Sequence, residues 1–291
     1  MIRIDNAVIM AAGMSTRLAP LSYEKPKALL TIHGEVLIER QIRQLQEAGI
    51  EDITVIVGYH REQFEYLKEK CRVTLIENPY YLEKNNHSSL YVAKEKLKNT
   101  YVSCSDYYFR ENPFRREEER PYYTTMYKQG KTDEWCVFSD SEGKITEVVI
   151  GGKDAWVMQG IVLFDERFSG QLIPLLEKAF EDPKAADTYW EDLYLEHIQE
   201  MVLYEKREDA GNVLEFDSFE ELREQVPEYL TSSGCHIMEA IAERLKCEEK
   251  DLYGFAPVKK GNHVSGVCFR YREDSYTYDY GTGKLCVMEG K

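Results

Sequence analysis

The chemistry-bearing residues gather first near the start of the chain. In the stretch Ala11–Leu30 (AAGMSTRLAPLSYEKPKALL), Gly13 follows an apolar run, and Arg17 and Lys27 come after it. A glycine behind a strand lets backbone N–H groups approach an anion, and successive N–H groups can form a nest for phosphate. A guanidinium grips phosphate oxygens bidentately, and a lysine adds a point charge. Residues 1–30 hold four basic and two acidic side chains, a local +2 within a chain of net charge −15. That contrast fits a triphosphate. The spacing is neither the GxxxxGK[ST] of a P-loop nor the GxGxxG of a dinucleotide fold. One glycine with Arg and Lys nearby is equally compatible with an ordinary strand–loop–helix connection.

Carboxylates come next. Asp106 ends the apolar segment Tyr101–Cys104, where a hard cation such as Mg²⁺ could be held against phosphate oxygens. Glu215 and Asp217, in LEFDSF, alternate along an expected strand and would share one face. Residue chemistry leaves a plainer reading open for both: Asp106 as a turn residue, Asp217 as the cap of the helix that SFEEL begins. Lys153, after Gly151-Gly152, is a candidate for an acceptor phosphate or simply a solvated lysine. The six histidines show no metal spacing, and no Ser/His/Asp or Cys/His set stands out. The seven cysteines are odd in number and lack CxxC spacing, which predicts reduced thiols rather than a zinc cluster or disulfide framework.

The elements that must position these residues read as α/β. Ala7–Ala12, Ile53–Val57, Val73–Glu77 and Tyr101–Cys104 are buried-strand runs. They alternate with helical patterns at 37–48, 61–70 and 88–98, which implies βαβ units and a parallel sheet. Ligands bind such sheets beyond the strands' carboxyl ends, where Gly13, Gly58 and Asp106 are expected. Strands are predicted at 122–127, 135–139, 145–150 and 157–164, joined by polar turns at 128–132 and 140–143. Helices follow at 172–180 and 190–201, a strand at 213–217 and a short helix at 219–225. The predicted fold is a Rossmann-like mixed, mainly parallel sheet flanked by helices.

Composition excludes several functions. At 291 residues, with 52 acidic against 37 basic side chains, the chain lacks the basic footprint of a nucleic-acid binder or a polybasic membrane anchor. No apolar stretch approaches the roughly 20 residues of a membrane span, and no signal-peptide pattern opens the chain. The expectation is a cytoplasmic protein.

The motifs also carry a resemblance. AAGMSTRLAPLS…KPKAL resembles the signature of nucleotidyltransferases that activate phosphorylated metabolites, approximately AAGxGxRLxPLTxxxPKxL, with Ser15 at the second glycine and Ser22 for threonine. LIERQIRQLQEAGIEDITVIVGYHREQFEYL, NNHSSLYVAKEKL, DEWCVF, YWEDL and LEFDSFEEL extend it, over roughly residues 5–226, to the LicC-type CTP:phosphocholine cytidylyltransferases.

That resemblance implies roles. Asp106 and Asp217 would bind Mg²⁺, with Glu215 as helper. Arg17 and Lys27 would hold the triphosphate. Ala11, Ala12, Gly13, Gly58, Asn86 and Ser89 would line the nucleoside pocket. Trp135, Tyr189 and Trp190 would face the cationic head of the acceptor, balanced by Glu191 or Asp192; for any single Trp a core position is the commoner outcome. Glu191 and Asp192 stand where the family has Asp then Asn, an added carboxylate that would also suit the primary amine of phosphoethanolamine or 2-aminoethylphosphonate. The reaction implied is in-line transfer from CTP to phosphocholine. A sugar-1-phosphate nucleotidyltransferase and a non-catalytic nucleotide-binding protein are the alternatives.

Pro227 marks an expected boundary: a transferase domain at 1–227 and an α+β appendage at 228–291. The appendage reads as an amphipathic helix at 236–246 and a hairpin at 264–271 and 275–280. It weakly resembles the start of a choline-kinase-like domain but holds no kinase catalytic loop, so kinase activity is not expected. It would pack on the transferase or mediate self-association, giving a homodimer.

Overall fold

The computed structural model describes residues 1–209, 211–261 and 263–288. It divides into two compact units, residues 1–13 with 38–214 and residues 14–37 with 215–291. These differ from the boundary expected at 227. The physical cause lies within the second unit: the helix Phe219–Gln225 belongs with the C-terminal sheet. Its Arg223, buried, donates to the carbonyls of Leu252 (2.6 Å) and Glu249 (2.7 Å). Its Phe219 packs edge-on to Phe255 at 5.1 Å.

The first unit is built on a seven-stranded sheet in the order 204–207, 122–139, 145–164, 100–104, 6–11, 53–57, 74–77. Asn6–Ala11 runs parallel to both Ile53–Val57 and Thr100–Cys104, and Ile53–Val57 parallel to Thr74–Glu77. Ile145–Phe164 enters antiparallel to Thr100–Cys104. This is the mixed, mainly parallel sheet expected. Ile53–Val57 is buried at every position, as a strand covered on both faces must be. The helices Glu166–Glu181 and Trp190–Glu196 pack their apolar stripes with Val8, Ile56, Val102 and Phe164 into one core.

Two expectations fail here. The four strands predicted between 122 and 164 are two long ones, Tyr122–Ser139 and Ile145–Phe164, paired as a hairpin. The turn expected at 128–132 is part of that ladder, with Lys131 opposite Lys153 and Thr132 opposite Gly152. Its polar sequence reflects solvent exposure and register shifts, not chain reversal. The strand before Asp217 also stops early, at Val213–Glu215.

The second unit holds the helix His236–Leu245 and a four-stranded antiparallel sheet, 252–260, 263–271, 274–279 and 285–287 in that order. The expected hairpin is its centre; the outer strands escaped the pattern. Asn262, within the stretch read as appendage, lies outside the described residues. No helix among the described residues is long and apolar enough to cross a membrane. All seven cysteines are free thiols.

Candidate active site

In the second unit, Arg17 sits in a single 3-10 turn, Thr16–Leu18, and Lys27 opens another, Lys27–Leu29. Both cations converge on one carboxylate. Arg17 Nη2 lies 2.9 Å from Asp217 Oδ1, and Lys27 Nζ lies 4.0 Å from the same oxygen. Arg17 is 70% exposed while Lys27 is buried, so one cation reaches into solvent and the other is fixed in the wall. Asp217 does not cap the following helix; Ser218 does, accepting from Glu221 N, while Asp217 N donates to Glu221 Oε2 at 2.9 Å. With the strand ending at Glu215, Glu215 and Asp217 do not share a strand face.

Ser15, at the pattern's second glycine, has φ 48°, the left-handed region. The loop geometry is therefore kept with a serine in a conformation that glycine adopts without strain. Gly13 has no such requirement: an added Cβ would meet nothing within 4 Å among the described residues.

In the first unit, Asp106 follows Thr100–Cys104 in a turn and is half-buried. Ala11 and Ala12 are buried, and Gly58 closes tightly on them. A Cβ at Gly58 would lie 2.8 Å from Ala12 O and 2.9 Å from Tyr81 Cδ1. Tyr59 N donates to Ala12 O at 3.1 Å. This edge is a real close approach of two strand ends.

Asn86 and Ser89 are committed within the protein. Asn86 Oδ1 accepts from Trp190 N (2.8 Å), and Nδ2 donates to Glu191 Oε2 (3.0 Å). Asn86 thus serves the first turn of the helix Trp190–Glu196, whose N–H groups lack intrahelical partners. Ser89 and Ser88 hydroxyls both accept from Asn78 Nδ2, at 3.1 and 2.9 Å. Asn78 was missed because nothing in its local sequence marks it.

The aromatic set divides. Trp190 is a core residue, 1% exposed, stacked on Tyr123 and edge-on to Phe164 at 5.1 Å. Trp135 and Tyr189 instead form an edge-to-face pair, centroids 5.9 Å apart, with Tyr189 44% exposed. Asp192 accepts from Tyr189 N at 2.8 Å and acts as a local helix cap. Glu191 is held by Asn86 and by Tyr123 OH (3.4 Å), and burial pushes its carboxyl up to about 7. Lys153 is exposed, 3.8 Å from Asp154. It lines a cleft of about 370 Å³ with Cys136, Trp156 and Arg207.

Among the described residues, no group of three or more His, Cys, Asp or Glu side chains could hold a metal by itself. Mg²⁺ takes one or two carboxylates and completes its shell with waters and substrate phosphates, so its site need not contain a cluster of that kind.

The choline-phosphate cytidylyltransferase of Streptococcus pneumoniae is 36% identical over 75% of this chain and 95% of its own. The chain belongs to the LicC-type choline-phosphate cytidylyltransferase family. The solved structure of that streptococcal enzyme superposes with a TM-score of 0.74 at 36% identity, over 77% of this chain and 97% of the enzyme. The MobA-like NTP transferase domain matches residues 7–109, which span the Gly13 loop, Gly58 and Asp106. A 2-aminoethylphosphonate cytidylyltransferase of Lancefieldella rimae is 37% identical over 75% of this chain and 90% of its own. The chain is a nucleotidyltransferase.

Proposed function

We propose that the chain couples CTP to phosphocholine, releasing CDP-choline and pyrophosphate. The observation that carries this reading is the match over nearly the whole length of the streptococcal enzyme. An oxygen of the acceptor phosphate attacks the α-phosphorus of CTP. The new O–P bond forms as the bond to the β-phosphate bridging oxygen breaks, and pyrophosphate leaves. The acceptor phosphate is already ionised at neutral pH, so no general base is required, and catalysis rests on positioning and charge neutralisation. Arg17 grips the departing phosphates with a planar fork, and buried Lys27 supplies a fixed charge. The Ala11–Gly13 edge and Gly58 bound the nucleoside. Asp106 and, by the resemblance, Asp217 with Glu215 would hold Mg²⁺, which when bound neutralises charge on phosphate oxygens.

Trp135 and Tyr189 offer ring faces to a quaternary ammonium, which cannot donate a hydrogen bond. A second acceptor, 2-aminoethylphosphonate, is favoured by the relative from Lancefieldella rimae and by the added carboxylate of the Glu191-Asp192 pair.

A pyrophosphate-release screen decides. Four NTPs are crossed with phosphocholine, phosphoethanolamine, 2-aminoethylphosphonate and glucose 1-phosphate. CTP with phosphocholine should give the highest kcat/KM, and Asp106→Ala should lower it at least about a hundredfold while the protein stays folded. Turnover with glucose 1-phosphate alone, or near-normal turnover by that variant, would sink the reading.

A further inference from the structure

A quarter of this chain lies outside the match to the streptococcal enzyme, which is itself matched over 95% of its length. The second unit ties its C-terminal part to the segment that carries Arg17 and Lys27. Glu24 is the main link. Its carboxylate accepts from His236 N (3.0 Å) and Ile237 N (2.9 Å), and lies 3.2 Å from His236 Nδ1. These N–H groups open the helix His236–Leu245, whose own preceding residue, Cys235, provides no side-chain cap. A carboxylate from 212 residues away thus satisfies the positive end of that helix. Tyr229 OH, on the short helix Glu228–Thr231, donates to Thr31 O at 3.1 Å. Tyr23 lies ring to ring with Tyr280, centroids 4.0 Å apart. The turn Thr16–Leu18 packs against the strand Leu252–Lys260. The fixed points, at 16–18, 23, 24 and 31, bracket both cations.

A loop that must order itself around a triphosphate loses conformational freedom on binding, whereas a preorganised one does not. We propose that residues 228–288 are a positioning clamp for the phosphate-binding segment 14–31, with Glu24 its principal link. This rests on the reading of Arg17 and Lys27 as ligands of a nucleoside triphosphate. Glu24 is a positioning residue that acts through the segment it anchors.

The test uses the full chain and three variants, Glu24→Ala, Glu24→Gln and Tyr229→Phe. Amide hydrogen exchange across residues 14–31 is measured without substrate, and KM is measured for CTP and for phosphocholine. Glu24→Ala should speed exchange in that segment about tenfold and raise KM for CTP about five- to tenfold. The acceptor KM and kcat should stay within about twofold. Glu24→Gln, which retains one carbonyl acceptor, should recover part of both effects. Tyr229→Phe should move both in the same direction by less, and it carries the test if Glu24→Ala does not fold. Unchanged exchange at 14–31, exchange raised equally throughout the chain, or faster exchange with an unmoved CTP KM would each overturn the clamp. Absence of turnover with CTP in the unaltered protein would instead overturn the functional reading, and exchange alone would then decide the clamp.

Discussion

Replacing Glu191 by Gln should make the protein more stable at pH 8 and leave it nearly unchanged at pH 5. Burial favours the neutral carboxyl, so the folded chain holds this proton up to about pH 7, against a usual 4.5. Between those values the folded state binds more protons than the unfolded one, and stability falls as pH rises. Above pH 7 both states are ionised and the full loss has been incurred. At about 1.36 kcal/mol per pKa unit, the rise from 4.5 to about 7 corresponds to at most about 3 kcal/mol. Glu191 keeps part of its surface in water, so screening reduces this to about 1–3 kcal/mol. Glutamine retains a carbonyl for Asn86 Nδ2 and carries no charge at any pH. Urea unfolding of both proteins, from pH 5 to 8.5 in half-unit steps, reads the difference directly. The two stability curves should separate with increasing pH and run parallel above about 7.5. Curves parallel throughout, or separating toward acid, would refute the assignment of a raised carboxyl at this position.

Trp190→Ala removes a fully buried side chain from the main core and should cost about 3–5 kcal/mol by chemical denaturation. Trp135→Ala should leave the unfolding midpoint nearly in place and raise the phosphocholine KM about three- to thirtyfold, the range of one desolvated cation–π contact. An equal stability loss in both would mean that Trp135 is packing, not recognition. Gly58→Ala drives a methyl into Ala12 O and the Tyr81 ring; about 1–3 kcal/mol of destabilisation and a raised CTP KM should follow, measured by melting and steady-state kinetics. Ser15→Gly releases a left-handed serine and should stabilise by about 0.5–1 kcal/mol, and an unfolding midpoint that falls would count against strain at this loop.

The sequence exposes chemistry by residue type and conceals it by pairing. The parallel strands were legible because burial on both faces writes them as unbroken apolar runs, as in Ile53–Val57. The long hairpin was not, because its outer rungs are exposed and leave no alternation to read. Arg17 and Lys27 stand out in the sequence as neighbouring cations, yet the carboxylate that both approach, Asp217, lies 200 residues from Arg17. The family resemblance implies ligand roles for Trp190 and Asn86. The contact that redefines both, Asn86 Oδ1 to Trp190 N, spans 104 residues. Once that bond is seen, the helix Trp190–Glu196 becomes the feature that Asn86 serves, and Trp190 the side chain by which it is seated. What remains exposed for an acceptor is the pair Trp135 and Tyr189. Glu191 lies in the same helix as Trp190, and burial holds its carboxyl well above the usual carboxylate range, at about 7. The negative charge that the sequence counts at Glu191 is therefore not a fixed one, because burial works against the ionised form.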